Sequence, residues 1–371
     1  MKIGVPAEVK NHEYRVAVTP AGVHELVRNG HDVTVQSEAG LGSHITDDEY
    51  LAAGAKIIDS ADAVWAEAEL VLKVKEPIAS EYHRLREDLV LFTYLHLAAS
   101  HPCTDALLSA GTTGIAYETV QVGDALPLLA PMSEVAGRLA PQVGAYNLMR
   151  FNGGRGVLPG GVPGVAPAKV VVIGGGVSGL NAAQIAVGMG ADVTVLDTNV
   201  DRLRFIDAVY QGRLKTLVST SYAIEREVLE ADLVIGAVLI PGAKAPTLVS
   251  NDLVSRMKPG SVLVDIAIDQ GGCFADSRPT THAEPTYRVH DSVFYCVANM
   301  PGSVANTSTY ALTNATLPYA VKLANLGWRD ALKSDAGLAR GLNTHGGRLT
   351  NEPVAQALDL PYTPVPDVLA A

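Results

Sequence analysis

Short apolar runs alternate with longer helical stretches over the first third of the chain. The apolar runs predict strands, and the stretches between them, several of which stop at a glycine, predict helices. Strands separated by helices are typical of a parallel sheet that carries helices on its faces. The predicted strands are Lys2–Val5, Asp32–Gln36, Leu70–Val74, Val90–Thr93 and Gly114–Tyr117.

The same alternation returns over residues 169–305. Ser133 is expected to cap a long helix that runs to Arg150, with a kink at Pro141, because a proline inside a helix removes a donor and clashes with the preceding turn. Another long helix, expected over 307–327, has no sheet of its own and must pack on one of the two regions. The predicted strands here are Val170–Ile173, Asp192–Leu196, Leu233–Val238, Val262–Ile266 and Phe294–Val297.

Composition limits the possible functions. The 371 residues suffice for about two ordinary domains. The net charge of −11 argues against a nucleic-acid site, because phosphate binding needs clustered Lys and Arg. No apolar run resembles a signal peptide or a membrane span, so we expect a cytoplasmic protein. Cys103, Cys273 and Cys296 are far apart, and we expect buried, inert thiols.

A glycine cluster follows the strand Val170–Ile173. Gly174, Gly176 and Gly179 occupy the three slots of G-x-G-x-x-G, and an alanine-rich helix follows. The second strand ends in Asp197, where the dinucleotide-binding motif requires an acid. The glycines allow a tight turn and a close backbone approach to a pyrophosphate, and the helix N-terminus favours phosphate. Asp197 would bind a ribose 2′-OH and repel a 2′-phosphate, so the motif predicts NAD.

Polar residues at the carboxyl ends of strands are the other candidates, since ligands bind there in open α/β sheets. In the first region they are Lys73, Lys75, Tyr94 and His96, with Arg15 in the loop after the first strand. In the second region they are Asp197, Val238, Leu239, Asp269, Asn299 and Met300.

Arg15 and Lys75 are cations suited to a carboxylate, which arginine can grip with two hydrogen bonds. His96 can exchange a proton with a substrate oxygen near neutral pH. Asp269 is expected near the nicotinamide end of the cofactor, where it can hold an ammonium or an attacking water. Plainer interpretations remain for each. His96 can be a core histidine, Arg15 a surface salt-bridge partner, Lys75 the partner of an acid such as Glu76, and Asp269 the cap of the next turn.

Longer motifs resemble those of the bacterial L-alanine dehydrogenase family, which is grouped with the NAD-binding subunit of proton-translocating transhydrogenase. The resemblance covers essentially the whole chain. It rests on Gly4-Val5-Pro6, residues 11–17 (NHEYRVA), residues 72–77 (LKVKEP), residues 93–98 (TYLHLA), residues 131–137 (PMSEVAG), residues 264–272 (VDIAIDQGG) and Asn299-Met300-Pro301.

This resemblance implies reversible oxidative deamination of L-alanine by NAD⁺ to pyruvate and ammonium. It implies His96 and Asp269 as the catalytic pair, Arg15 and Lys75 as the carboxylate site, and Tyr94, Leu129 and Met132 as the methyl pocket. The implied cofactor residues are Ser133, Gly174, Gly176, Val177, Ser178, Gly179, Asp197, Arg202, Ser219, Val238, Leu239, Ile266, Ala267, Ile268, Arg278, Val297, Ala298, Asn299 and Met300.

The resemblance also implies two Rossmann-like α/β domains with parallel sheets, separated by an active-site cleft. Residues 1–128 with 306–371 would form the substrate domain and 129–305 the NAD domain, in a homohexamer that needs neither membrane nor nucleic acid. A magnesium site of some relatives falls on Lys322 and Leu326 here, which are not such ligands, so no metal is expected. Two alternatives stay open: the transhydrogenase subunit, and a relative that prefers glycine or glyoxylate.

Overall fold

The structure is a computed structural model that describes residues 1–238 and 245–370. It divides into two compact units, which we call unit 1 (Met1–Met132 with Val304–Ala371) and unit 2 (Ser133–Ser303). Each unit is an α/β fold around one mostly parallel sheet, which confirms the predicted fold class.

The strands alternate with helices for most of the chain. The strands are β1 Lys2–Val5, β2 Asp32–Gln36, β3 Lys56–Ile58, β4 Leu70–Leu72, β5 Val90–Thr93, β6 Thr113–Ala116, β7 Lys169–Ile173, β8 Asp192–Asp197, β9 Lys215–Val218, β10 Leu233–Gly236, β11 Val262–Asp265, β12 Thr286–Val289, β13 Ser292–Tyr295, β14 Leu342–His345 and β15 Arg348–Leu349. The helices are α1 Pro20–Arg28, α2 Asp47–Ala52, α3 Ala61–Glu67, α4 His101–Ala110, α5 Ala130–Asn147, α6 Val177–Gly188, α7 Val200–Tyr210, α8 Ser221–Leu229, α9 Asn251–Ser255, α10 Ala305–Leu326, α11 Trp328–Ser334, α12 Ala336–Ala339, α13 Glu352–Leu358 and α14 Val365–Ala370.

Both sheets have the same inner topology. In unit 1 the strand order is β15-β14-β6-β5-β4-β1-β2-β3, and in unit 2 it is β12-β13-β11-β10-β7-β8-β9. The first strand of each unit sends the chain to one side for two strands and then back to its other side. This reversal creates a switch point between β1 and β4 and another between β7 and β10. Ligands of open α/β sheets bind outside the strand ends at such points.

Burial follows the pleat of the central strands. In β7, Val170 and Val172 enter the core on one face of the sheet, whereas Val171 and Ile173 enter the core on the other. Successive side chains of a strand point to opposite faces. A strand that is apolar throughout therefore requires helices on both faces, which is what the alternating elements supply.

The C-terminal region completes unit 1. Helix α10 packs on α1, and β14 pairs antiparallel with β6. The long helix expected to lack a sheet of its own therefore packs on unit 1. The strands β14 and β15 were not predicted, because Leu342–His345 and Arg348–Leu349 are too short and polar to read as strands alone.

The expected start of the long helix was wrong. Helix α5 begins at Ala130, so Ser133 lies inside its first turn and is not its cap. Pro131 is acceptable there, because N–H groups of a first turn have no partner within the helix. Pro141 does lie inside the helix, as predicted, and the helix ends at Asn147, before Arg150.

The three cysteines are buried and free, as expected. Burial raises the pKa of Cys103 and of Cys273 to about 12 and that of Cys296 to about 11. These thiols therefore stay protonated at ordinary pH. Among the helices of the described residues, none has the length and apolar content that a bilayer crossing requires.

Candidate functional site

The candidate substrate residues of unit 1 follow three neighbouring strands. Arg15 is in the loop after β1, Lys75 comes shortly after β4, and Tyr94 and His96 follow β5 directly. Because β1, β4 and β5 are adjacent and parallel, their carboxyl ends share one edge of the sheet. The edge includes the switch point between β1 and β4, where a ligand of this fold binds.

Arg15 is buried, with 2% of its surface exposed, so the surface salt-bridge interpretation is wrong. Its Nε and Nη2 donate to the two carboxylate oxygens of Glu13 at 2.7 and 2.6 Å. Burial alone would raise the pKa of Glu13, but the hydrogen bonds and charge of Arg15 lower it overall. The guanidinium is thus held rigidly through one edge. Its Nη1 donates to the Met132 thioether at 2.9 Å, a weak acceptor.

Lys73 belongs to the framework of the site. Its side chain is fully buried, and its Nζ lies 3.2 Å from a Glu8 oxygen and 3.0 Å from a Glu81 oxygen. Glu8 also accepts hydrogen bonds from the backbone N–H groups of Val74, at 2.7 Å, and Lys75, at 3.4 Å. The buried ions therefore fix the segment that presents Lys75, and Lys73 itself is unsuited to substrate.

His96 is held by carboxylates at its ring and its backbone. Its Nδ1 lies 3.3 Å from Glu76 Oε2, and its backbone N–H donates to Glu118 at 2.6 Å. The backbone of His96 has the left-handed conformation, with φ of 48°. This conformation costs energy in residues other than glycine and is typical of functional positions. Its side chain keeps 34% of its surface exposed, which does not fit a core histidine.

Glu76 is an acid whose pKa is strongly lowered by its neighbours. Burial by itself would raise its pKa, but the hydrogen bond from His96 and the charges of His96, Lys10 and Lys75 outweigh this and lower the pKa to about 2. Glu76 is therefore ionised at neutral pH. It also forms an ion pair with Lys10 through its other oxygen.

The residues expected around a substrate methyl group are one tyrosine, Tyr94, and two apolar residues, Leu129 and Met132. The Tyr94 hydroxyl donates to the Leu128 carbonyl at 2.6 Å, and burial raises its pKa, so it remains a neutral phenol. Met132 is buried against Arg15, and Leu129 is half-buried. The structure thus places Met132 against Arg15, the candidate for binding a carboxylate. The assignment of Leu129 to the methyl pocket remains a prediction.

The cofactor candidates of unit 2 also lie along one sheet edge. The strand order β9-β8-β7-β10-β11-β13 places their carboxyl ends in a row. In that row they are Ser219 after β9, Asp197 at the end of β8, the glycine loop after β7, Val238 after β10, Ile266–Asp269 after β11 and Val297–Met300 after β13. Leu239 lies outside the described residues.

The glycine loop has the stereochemistry that a phosphate cradle needs. A Cβ on Gly179 would lie 1.7 Å from the Gly174 carbonyl oxygen, and one on Gly174, whose φ is 103°, would lie 2.7 Å from the Ala237 oxygen. A Cβ on Gly176 would meet nothing within 4 Å. Gly176 precedes helix α6 and supplies no side-chain cap, so the first N–H groups of α6 are available to an anion. The arrangement fits a dinucleotide.

Asp197 organises the far side of that loop. Its Oδ2 accepts from the Gly175 N–H at 2.6 Å and its Oδ1 from the Asn199 N–H at 2.7 Å. Its backbone carbonyl accepts from the Ser219 N–H at 2.9 Å, which puts Ser219 beside it. The Cγ of Arg202 would lie 3.3 Å from a Cβ on Gly175, so Arg202 flanks the loop as well.

Asp265 anchors the turn that carries Asp269. It is fully buried and accepts from the N–H groups of Ala267, at 3.1 Å, and Cys273, at 2.7 Å, and from the Ser277 hydroxyl at 2.5 Å. Asp265 therefore has a structural role and caps the 3-10 helix Ile266–Gln270. Asp269 is exposed on this turn, and its carboxylate has no hydrogen-bond partner among the described residues. The N–H groups of Gly271 and Gly272 donate to the backbone carbonyls of Ile268 and Ala267, so the plainer interpretation, in which Asp269 caps that turn, does not hold.

The remaining cofactor candidates are positioned less directly. Asn299 has a φ of 66°, and its carbonyl lies 3.1 Å from His282 Nε2. The Arg278 guanidinium stacks on Tyr287, 4.0 Å from the ring centroid, so its contact with a cofactor stays a prediction. Ser133 lies on α5 four residues before Gly137, whose Cβ would reach within 2.3 Å of the Ser178 oxygen of α6. Val177 is exposed, whereas the other candidates are half-buried or buried: Ser178, Ile266, Ala267, Ile268, Val297, Ala298 and Met300.

Sequence reasoning did not identify the acids that hold the cations and the histidine, apart from naming Glu76 as a possible partner of Lys75. These are Glu8, Glu13, Glu76, Glu81 and Glu118, all in unit 1. Single acids are common in any sequence, so only their positions just after strands would have indicated them. Glu8, Glu76 and Glu118 each follow a strand of the site edge within a few residues.

Comparison with known proteins agrees with this architecture. The family model described as "Alanine dehydrogenase/PNT, N-terminal domain" matches residues 4–136, and the corresponding C-terminal domain model matches residues 140–352. An alanine dehydrogenase of Mycolicibacterium smegmatis is 66% identical over 371 residues, which cover 100% of both chains.

Two solved structures are also similar. A structure titled L-alanine dehydrogenase superposes with a TM-score of 0.94 at 52% identity, covering 97% of this chain and 99% of the other. A transhydrogenase from Sinorhizobium meliloti superposes with a TM-score of 0.81 at 27% identity, covering 95% and 99%. The chain belongs to the alanine dehydrogenase/PNT family.

Proposed function

We propose that the chain catalyses the reversible oxidative deamination of L-alanine: L-alanine, NAD⁺ and water give pyruvate, ammonium, NADH and a proton. The observation that carries this proposal is the full-length identity of 66% to an enzyme named alanine dehydrogenase. Unit 1 would hold the amino or keto acid, and unit 2 would hold the dinucleotide. The cations and the histidine at the switch point of unit 1 supply the side chains that such a substrate needs.

Arg15 and Lys75 would bind the substrate carboxylate. The Arg15 guanidinium is fixed through its Nε and Nη2 by Glu13, so little side-chain entropy is lost when it binds a carboxylate. Tyr94, Leu129 and Met132 would enclose the methyl group. A pocket of this kind separates substrates that differ by one methylene only about 10–200-fold, so glycine, glyoxylate or 2-oxobutanoate would be poor substrates.

His96 and Asp269 would move the protons. In the reductive direction the imidazolium of His96 donates a proton to the carbonyl oxygen of pyruvate as ammonia adds to the carbon. In the oxidative direction the neutral ring takes this proton back as the carbinolamine collapses. Asp269, exposed on its turn, would hold the ammonium or the attacking water.

NAD would accept or give the hydride at Cα. The glycine loop and the uncapped start of α6 would bind its pyrophosphate through backbone N–H groups. Asp197 already accepts two N–H groups and has lone pairs left for a ribose hydroxyl. An Asp197→Ser variant should raise the ratio of NADPH to NADH turnover, and an unchanged ratio would remove Asp197 from cofactor choice.

One assay tests the activity. Purified protein with NAD⁺ should form NADH from L-alanine at alkaline pH, and pyruvate with ammonium should consume NADH. D-alanine, glycine and glyoxylate are the comparison substrates. Faster turnover of glyoxylate than of pyruvate would favour the alternative in which the enzyme prefers glycine or glyoxylate. No turnover with any amino acid, together with hydride exchange between two nucleotides, would favour the transhydrogenase alternative. The transhydrogenase structure superposes with a TM-score of 0.81, which is the reason to test it.

The assembly and location belong to the same proposal. We expect a homohexamer in the cytoplasm, by likeness to the family. Light scattering coupled to size-exclusion chromatography measures the mass directly, and a mass of one or two chains would contradict the hexamer.

A further inference from the structure

Glu76 bridges two basic groups, Lys10 and His96. One carboxylate oxygen pairs with Lys10, whose side chain is 35% exposed, and the other lies 3.3 Å from His96 Nδ1. Only 11% of the Glu76 side chain is exposed. A buried carboxylate at this distance accepts the Nδ1–H of an imidazole and stabilises the imidazolium.

Glu118 fixes the backbone from which the His96 ring projects. Glu118 accepts the N–H of Leu95 with both oxygens at 3.2 Å and the N–H of His96 at 2.6 Å. These bonds stabilise the left-handed conformation of His96, which an unheld histidine would leave. The Nε2 of the ring has no hydrogen-bond partner among the described residues, and so it is the nitrogen that can exchange a proton with a ligand.

Charged and titratable groups around the pair follow several strands of the sheet. Lys10 follows β1, Lys75 and Glu76 follow β4, Tyr94 follows β5, and Glu118 follows β6. Glu76 is the only one of them whose side chain meets the His96 ring nitrogens among the described residues. Lys10 acts on His96 through Glu76, since it neutralises part of the charge that the imidazolium feels.

We infer that Glu76 is a positioning residue for His96: it holds the proton on Nδ1, leaves Nε2 for the substrate oxygen and favours the imidazolium, while Lys10 limits that effect. The chemical meaning rests on the proposed function, because His96 is the acid and base of that reaction. The simpler alternative is that Glu76 serves only as an ion-pair partner that fixes Lys10 and the loop.

Opposite shifts from two variants separate these possibilities. The observable is the pH at which kcat/KM for pyruvate falls to half on the alkaline side, with NADH and ammonium saturating. Glu76→Gln should move this midpoint to lower pH by about 1 unit, because the carboxylate no longer favours the imidazolium. Lys10→Met should move it to higher pH by a few tenths of a unit, since Glu76 is then less neutralised.

Matched controls use exposed pairs of the same residue types. Glu25→Gln, next to Arg28, and Lys56→Met, next to Asp32, should leave the midpoint where it is. A purely structural Glu76 would lower kcat/KM in Glu76→Gln without moving the midpoint. Midpoints that stay fixed in both Glu76→Gln and Lys10→Met, or that move in the same direction, would overturn the inference.

A second measurement does not need turnover. The ¹⁵N shifts of His96, assigned with a His96→Gln variant, report which ring nitrogen carries the proton at alkaline pH. The wild type should show the proton on Nδ1, and Glu76→Gln should show a mixture; a wild-type proton on Nε2 would overturn the inference. If the wild type lacks activity on alanine and pyruvate, the proposed function fails, while this test of the Glu76–His96 pair still stands.

Discussion

The two sheet edges have one topology and opposite chemistry. At the edge of unit 1, the strand ends carry long charged side chains that are held by acids, such as Arg15 by Glu13 and His96 by Glu76. At the edge of unit 2, the central strand end carries glycines and uncapped backbone N–H groups. A switch point therefore determines where a ligand binds, and the residues placed there determine whether side chains or backbone recognise it.

The largest expected effect tests whether unit 1 depends on paired charge. Arg15→Met removes the ion pair from Glu13, whose side chain is fully buried, and should lower the free energy of unfolding by about 3–5 kcal/mol. It should also lower kcat/KM for pyruvate about 100-fold through the lost carboxylate contact. Urea denaturation and steady-state kinetics measure both. Arg28→Met, in an exposed pair with Glu25, is the control and should change stability by under about 0.5 kcal/mol.

Acid should weaken unit 1 through Glu76. Its pKa falls from 4.5 to about 2 in the folded protein, so the folded state binds fewer protons than the unfolded state between these values. The stabilisation is complete above about pH 4.5 and is lost as the pH falls towards 2, by roughly 3 kcal/mol in total. Denaturation curves of wild type and Glu76→Gln should converge over this window, and parallel curves would contradict the assignment.

The stability of unit 2 and its binding of NADH should respond to side-chain volume added in the glycine loop. Gly179→Ala puts a methyl group against the Gly174 carbonyl and should cost about 1–3 kcal/mol while weakening NADH binding. Gly188→Ala, at the other end of the same helix, meets nothing within 4 Å and is the control; it should be neutral or slightly stabilising. Thermal unfolding and NADH fluorescence titration report the two effects. Equal responses of the two variants would mean that the close approach at Gly179 is unimportant.

The smallest expected effect tests why α6 lacks a cap. Gly176 has the extended conformation of a capping residue, with φ of −67° and ψ of −162°, so Gly176→Ser should cap the helix. Stability should rise by a few tenths of a kcal/mol. NADH affinity should fall, because the hydroxyl competes for the N–H groups that the pyrophosphate needs. A variant that gains stability and binds NADH as well as wild type would show that these groups do not bind the cofactor.

The sequence by itself determined the α/β class, the glycine loop and the strand ends that carry Arg15, Lys75, His96 and Asp269. These features depend on local patterns: apolar periodicity, glycine spacing, and polar residues just after strands. The long motifs added the family. The short strands β14 and β15 were not predicted, because they are held by pairing, β14 with β6 and β15 with β14, and not by their own composition.

Only the tertiary structure decided which charges meet. Lys73 and Lys75 are two residues apart, yet Lys73 is fully buried between Glu8 and Glu81, and Lys75 is half-buried at the edge. Residues two apart in a regular strand point to the same face, but β4 ends at Leu72. The path of the backbone after the strand and the acids packed around it therefore decide the role of each lysine. The pairing of His96 with Glu76, twenty residues earlier, likewise exists because β4 and β5 are neighbours in the sheet.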